Sequence, residues 1–314
     1  MRSHGFLTKE NLKYIDDLLS LVSGAAAKLP PLKKMTDQVG IINKELPFNG
    51  TKIINGTMDA WIGILGSGGF ENKKNIYLSG TSEILGINSK EVIPTPGIII
   101  FPEDENIKLH AAPTQSGGAS KLWFCNLFNL TPVEMNKLVE NENFNDAAPI
   151  FLPHLQGERA PLWDPNLKGI FYGMNSKTNK GNLARSVYEG VSFSAKLILE
   201  SLEKSANCIN EEINCGGGGF QADIWNQIRA NILNKKINRL SIKDPGILGS
   251  VGIAGYGSGT FSNIDEAFNK MTIFDKSYEP DQTKKNYYSD LFEIFKNVTE
   301  SNIKISEKFS KFLR

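Results

Sequence analysis

Cysteine, histidine and charge of a single sign are all scarce in this chain. Only three cysteines occur in 314 residues, Cys125, Cys208 and Cys215, and none forms a CxxC pair. That argues against a disulfide framework and a cysteine zinc site, and favours a reduced, cytoplasmic setting. His4, His110 and His154 share no metal-ligand spacing. Basic residues number 35 against 34 acidic ones, a net charge of +1. General nucleic-acid binding needs a basic surface that this balance does not supply. Long apolar runs are also missing. The longest resemble Ile98–Phe101, far below the roughly 20 residues of a membrane helix. The opening MRSHGFLTKENLKYI has no apolar core of the signal-peptide kind.

What remains is ordinary globular material, 40% hydrophobic and 22% charged, without repeats or low-complexity linkers. Apolar spacing predicts a helix over residues 11–27, with Leu12, Ile15, Leu18, Leu19 and Val22 on one side, stopped by Pro30-Pro31. Val39–Ile42 reads as a short strand or turn, Lys52–Asn55 as a β-branched run, and Met58–Leu65 as a helix with Asp59 at its start. Strands follow at 74–78, 84–89, 98–101 and 107–112, with an acidic turn Pro102–Glu105 between the last two. A helix after Gly117-Gly118 carries Leu122, Trp123, Cys125, Leu127 and Phe128 as its apolar surface. Residues 151–175 read as a long Pro/Gly-rich loop. Beyond them come a helix over 182–204, a strand at 213–215, a helix over 224–234, a strand near 237–240, a glycine-rich helix over 250–257 and a terminal amphipathic helix over 283–314. The pattern is mixed α/β, with one boundary near residue 70.

Five segments carry candidate chemistry. Gly216–Gly219 stands between a strand and a helix opened by Asp223. Backbone without side chains, free N–H groups and the positive end of a helix suit a phosphate or nucleoside there. No Gly-Lys-Ser/Thr follows, so it is not a Walker loop, and a purely structural tight turn is the competing reading. Gly80-Thr81-Ser82, between two strands, offers hydroxyls and N–H groups to phosphate oxygens or forms a plain hairpin turn. Gly117-Gly118 is a second glycine-lined approach or a plain turn. Asp59 is a helix cap or a base that accepts a hydroxyl proton in phosphoryl transfer. In Gly157–Pro165, Glu158 and Arg159 predict an ion-paired surface loop; a carboxylate pair of Glu158 and Asp164 is the weaker alternative.

In order along the chain, these segments resemble the FGGY carbohydrate kinases. Gly157-Glu158-Arg159-Ala160-Pro161 with Trp163-Asp164-Pro165, Gly169–Gly173, Arg185 and Glu189–Phe193 carry the likeness. The resemblance implies the C-terminal ribonuclease-H-like domain of an actin-like ATPase fold with a remnant of the N-terminal domain: residues 1–70 as that domain's tail and 71–314 as the nucleotide-binding domain. It implies Asp59 as catalytic base, Gly80, Thr81 and Ser82 at the ATP phosphates, Gly117 and Gly118 beside the nucleotide, and Gly217, Gly218, Gly219 and Asp223 at adenosine. ATP and Mg2+ are the implied cofactors, with no protein metal site assigned. A sugar or polyol of the xylulokinase type is the implied substrate. The family's opening Asp-x-Gly-Thr turn and most of its first domain have no counterpart here. The chain is therefore expected to be a fragment, a truncated frame or half of a split enzyme, completed by a separately encoded N-terminal half or a second copy. A non-catalytic nucleotide-binding module is the alternative function.

Overall fold

The computed structural model describes residues 13–103, 106–144 and 148–312. The opening segment with Asn11, Leu12 and His4, the turn residues Asp104 and Glu105, and the terminal Leu313-Arg314 lie outside the described residues.

The predicted first helix is broken. Helix α1 (Asp16–Ser20) and α2 (Ala25–Lys28) are separated at Gly24, which has φ +74°, a left-handed conformation that glycine adopts without steric cost. Two short strands, β1 (Gln38–Ile41) and β2 (Lys52–Ile54), pair antiparallel. Helix α3 (Asp59–Ile64) follows and runs into a wide π-helical turn over Leu65–Gly69.

The main sheet then begins. Strands β3 (Asn75–Ser79), β4 (Glu83–Asn88), β5 (Ile99–Ile100) and β6 (Leu109–Pro113) form its antiparallel part. Helices α4 (Gly118–Leu127) and α5 (Pro132–Glu140) lead to a small pair, β7 (Ile150–Leu152) and β8 (Ile170–Tyr172). The long helix α6 (Lys180–Ser205), β9 (Glu212–Gly216), α7 (Asp223–Leu233) and β10 (Lys236–Leu240) build the α/β part. Helices α8 (Pro245–Ser258) and α9 (Ile264–Asn269), the edge strand β11 (Phe274–Tyr278) and helix α10 (Lys285–Phe309) complete it.

The seven strands run in the order β11-β10-β9-β3-β4-β6-β5. Strand β3 is central: antiparallel to β4, parallel to β9. Alternation along β3 sends Tyr77 to one face, packed with Ile198, Ile213 and Phe220, and Ile76 to the other, with Ile64, Leu65 and Phe268. Helices thus cover both faces: α6 and α7 on one, α3, α8 and α9 on the other. A further apolar cluster joins α4, α5, α6, α7 and α10 around Phe124, Phe151, Phe193, Trp225 and Phe295.

Several elements differ from the sequence expectation. Helix α5 was not predicted, although Thr131 and Glu134 form a reciprocal capping box with Pro132 in the first turn. The segment 151–175 ends in the β7–β8 pairing rather than being wholly irregular. Leu122 and Leu127 of α4 are exposed, and Phe124 and Cys125 form its buried side, because α4 packs against α5 and α6. Strand β11 was missed because its residues Phe274–Ser277 face solvent.

Helix α3 is held against α8 by direct backbone approach. A Cβ on Gly66 would overlap the Pro245 carbonyl, and one on Gly249 would overlap the Ile62 carbonyl. Lys52 Nζ also donates to the Ser258 carbonyl at 2.9 Å, tying β2 to the end of α8. This crossing sets where Asp59 stands relative to the sheet. Gly249→Ala is expected to destabilise the fold by about 1–3 kcal/mol through overpacking, measured by urea denaturation; an unchanged midpoint would show that the crossing can open without cost.

Candidate functional site

One cleft, of about 1010 Å³, opens between the sheet and helices α3 and α8. Its walls bring together Asp59, the β3–β4 turn at Gly80 and Ser82, and Gly217-Gly218 beyond β9, with Arg159, Lys243 and Asp244 at its edges. Residues as far apart in the sequence as Thr57 and Val251 thus share one cleft.

Asp59 is the first residue of α3. Met58 precedes it as an extended cap residue without a side-chain cap. The Asp59 carboxylate accepts from the Ala60 N–H at 2.7 Å, and among the described residues it has no cationic partner. An exposed carboxylate so placed is able to accept a further proton or hydroxyl.

The β3–β4 turn is closed by the Gly80 N–H donating to the Ser82 carbonyl at 2.9 Å. Gly118 N–H donates to the Gly80 carbonyl at 2.9 Å and Ala119 N–H to the Thr81 carbonyl at 3.0 Å. Gly117 and Gly118 thus lie against this turn rather than on the cleft wall. A Cβ at Gly118 would come within 2.5 Å of the Gly80 carbonyl oxygen, so glycine is needed there for the start of α4 to brace Gly80–Ser82.

The glycines after β9 divide by cause. Gly217 has φ +97° and its Cβ would overlap the Ser79 carbonyl; a Cβ at Gly219 would overlap Ser79 Oγ. Both are required by the protein itself. At Gly218 a Cβ would meet nothing within 4 Å. That position is open toward the cleft, and nothing in the chain demands a glycine.

Beneath these turns lies a buried polar knot that the sequence reading missed. Glu83 Oε1 accepts from Arg229 Nη2 at 2.8 Å and from Ser79 Oγ at 2.7 Å, and Glu83 Oε2 accepts from the Tyr77 hydroxyl at 2.5 Å. Arg229 Nη1 also donates to the Gly219 carbonyl at 2.8 Å. Its guanidinium lies 3.9 Å from the Trp225 ring centre and 4.2 Å from that of Phe220. The Arg229 and Glu83 side chains are 0% and 1% exposed. Burial pushes the Glu83 carboxyl up, and the guanidinium and the two hydroxyl donors oppose that rise. Burial and the Glu83 charge also push the Tyr77 phenol well up. The knot joins β3, β4 and α7, and so fixes the β3–β4 turn to the glycine turn.

Asp223 is not brought to the cleft. Its carboxylate binds Lys276 Nζ at 2.6 Å, the Tyr278 hydroxyl at 2.6 Å and Arg239 Nη1 at 3.2 Å. Lys276 and Tyr278, by hydrogen bonding, hold it below the usual carboxylate range. It anchors the start of α7 to β10 and β11, on the outer side of the glycine turn.

The expected Glu158–Arg159 ion pair is absent among the described residues. Glu158 is buried, and its carboxylate accepts from the Gln115 and Arg159 N–H groups at 2.7 and 2.8 Å, from Ser116 Oγ at 2.7 Å, with His154 Nδ1 at 3.1 Å. Burial pushes this carboxyl up, but His154 and the backbone donors outweigh burial and hold it below the usual range. Asp164 instead accepts from the Asn166 N–H at 2.8 Å. Glu158 is committed to loop structure by four donors, and neither carboxylate lines the cleft, so the weaker reading as a hydrolytic pair finds no support.

Arg229→Met leaves Glu83 buried without its cation. A loss of about 3–5 kcal/mol is expected by urea denaturation, with Glu83→Leu in the same chain recovering part of it. A loss below 1 kcal/mol, or no recovery in the double variant, would show that the knot is not what holds the turns together.

Among known proteins, the family model "FGGY family of carbohydrate kinases, C-terminal domain" matches residues 76–258. A xylulose kinase of Lactococcus lactis subsp. lactis is 26% identical over 302 residues, covering 90% of this chain and 59% of the relative. A glycerol kinase of Aquifex aeolicus is 26% identical over 293 residues, with 89% and 59% covered. The chain thus spans less than two thirds of the relatives it matches. In three dimensions it is similar to the ligand-bound xylulose kinase from Lactobacillus acidophilus, with a TM-score of 0.88, 26% identity, and coverage of 97% of this chain and 64% of the other. A gluconate kinase from the same organism gives 0.87 at 26% identity. The sheet and its helices are therefore of the actin-like ATPase kind, and the chain belongs to the FGGY family of carbohydrate kinases.

Proposed function

We propose that this chain carries the nucleotide-binding and phosphoryl-transfer elements of an ATP-dependent carbohydrate kinase, moving the γ-phosphoryl of ATP to a hydroxyl of a sugar or polyol. The observation that carries this reading is the single cleft that joins an exposed carboxylate without a cationic partner among the described residues, a hydroxyl- and N–H-bearing turn, and a glycine left open to solvent. In it, adenosine lies along Gly217–Gly219 and the phosphates face Gly80–Ser82. The roles of Gly117 and Gly118 are indirect, through the brace on that turn. Asp59 accepts the proton of the attacking hydroxyl and aims its oxygen at the γ-phosphorus. Phosphoryl transfer asks little covalent chemistry of a protein, and positioning with charge stabilisation does most of it.

Among the described residues no group of three or more His, Cys, Asp or Glu is placed to hold a metal. Glu83 is spent on Arg229, Tyr77 and Ser79, and Asp244 caps the start of α8 by accepting the Gly246 N–H at 2.9 Å. The residues present do not make a magnesium site of their own. Mg2+ is proposed as a companion of the triphosphate, which supplies most of its ligands, and no step is assigned through it.

Residues up to about 70 are proposed as the tail of the family's first domain, and the rest as its nucleotide-binding domain. The xylulose kinase of Lactococcus lactis and the glycerol kinase of Aquifex aeolicus are each 26% identical to the chain, so a pentulose and a polyol are both candidate acceptors. A separately encoded N-terminal half, or a second copy, is the proposed completion of the sugar side. Among the described residues no helix is long and apolar enough to cross a membrane, and with three free cysteines a cytoplasmic setting is proposed.

Calorimetric titration with ATP and ADP tests the nucleotide half. The wild-type chain is expected to bind both. Gly218→Val, whose Cβ meets no protein atom within 4 Å, is expected to keep the wild-type melting temperature and lose nucleotide binding; retained affinity would make Gly218 merely a turn residue. Asp59→Asn is expected to keep nucleotide affinity and to lose about 10²–10⁴-fold in kcat in the assembled enzyme. Wild-type turnover would remove Asp59 from the role of base. Nucleotide heat with no sugar-dependent turnover in any assembly would assign the chain to a binding module.

A further inference from the structure

We propose that Arg159 is a phosphate-contacting residue of the cleft, binding the β- or γ-phosphate of the nucleotide; this rests on the kinase reading above. Arg159 follows a glutamate and sits four residues before an exposed tryptophan, on a loop where a guanidinium would ordinarily pair with its neighbour. It does not. Glu158 is turned inward and its oxygens are occupied by Gln115, Ser116, His154 and the Arg159 N–H. The exposed Arg159 side chain has no hydrogen-bond or ion-pair partner among the described residues, and it lines the cleft.

Its backbone is held firmly. Ala160 N–H donates to the Pro113 carbonyl at 3.0 Å, and the Arg159 carbonyl accepts from the Trp163 N–H at 2.5 Å. Pro113 in β6 pairs with Ile84 in β4, two residues beyond Ser82. Through this short path the loop is fastened beside the β3–β4 turn, and Pro113, Ser82 and Arg159 line the same cleft. Lys243, the other cation of the cleft without a partner among the described residues, belongs instead to the β10–α8 connection beside Asp244. A planar fork with several N–H donors, fixed at its base and free at its tip, suits phosphate oxygens. The buried Glu158 acts on it as a positioning residue, since it holds the Arg159 N–H and leaves the guanidinium unclaimed.

Titrations of the full chain with ATP, ADP and AMP, on wild type, Arg159→Gln and Arg159→Lys, test this. Arg159→Gln is expected to weaken ATP by about 10–100-fold, the worth of a charged hydrogen-bonding group, with AMP affinity and melting temperature unchanged. A loss confined to ATP assigns the γ-phosphate, and one shared by ADP assigns the β-phosphate. Arg159→Lys, which keeps the charge without the fork, is expected to fall between. Unchanged ATP affinity, or AMP affinity that falls in step with it, overturns the assignment and leaves the kinase reading standing. A wild-type chain that binds none of the three nucleotides overturns both.

Discussion

The ion pair of Glu83 and Arg229 is the interaction on which the cleft depends. Two charges out of water are costly, and their attraction repays that cost only when most of the remaining donors and acceptors find partners. Here Tyr77 and Ser79 complete the carboxylate, and the Gly219 carbonyl and Ser79 Oγ take Nη1 and Nη2 of the guanidinium, whose faces rest on Trp225 and Phe220; its Nε is buried without a hydrogen-bond partner among the described residues. The pair spans β4 and α7, which are 146 residues apart in sequence. It sets the distance between the turn at Gly80–Ser82 and the turn at Gly217–Gly219. A nucleotide reaching from one to the other would find that separation already fixed, which reduces the ordering cost of binding.

Backbone contact is the second constraint. Gly66 and Gly249 let α3 and α8 touch, Gly118 lets α4 brace the β3–β4 turn, and Gly219 leaves room for Ser79. In each case a side chain would push apart two elements that carry site residues. Gly218 is the exception, since it leaves room for nothing in the chain. The difference separates glycines that serve the fold from one that is open to the cleft.

Part of the lining of the cleft, Asp59, Gly80, Ser82, Gly217 and Gly218, was legible in the sequence, because its signals are local. Four consecutive glycines after a short strand, Gly-Thr-Ser in a hairpin turn, and Asp at a helix start each admit backbone or carboxylate chemistry beside a plain turn or cap reading. The likeness of Gly157–Pro165 to a family signature then ordered them. What was not legible is long-range. Nothing near Glu83 announces Arg229, and each looks like an ordinary charged residue in a half-polar element. The Glu158–Arg159 pair misled for the opposite reason: adjacency suggested an ion pair, whereas the backbone of Gln115 and the side chains of Ser116 and His154 claim the carboxylate. Asp223 opens its helix as expected, yet Lys276, Tyr278 and Arg239 draw its carboxylate away from the cleft. Among the elements, Leu122 and Leu127 misplaced the buried side of α4, because contact with α5 and α6 decides that side. Strand β11 carries too little buried apolar surface to show an alternating pattern.

The most direct test is a crystal structure of this chain with a non-hydrolysable ATP analogue. The expected density places the base and ribose along Gly217–Gly219, the phosphates at Gly80–Ser82, and the γ-phosphate in the part of the cleft shared with Asp59. An analogue bound elsewhere on the surface, or one whose phosphates lie away from the β3–β4 turn, would contradict the assignment of this cleft as the site of phosphoryl transfer.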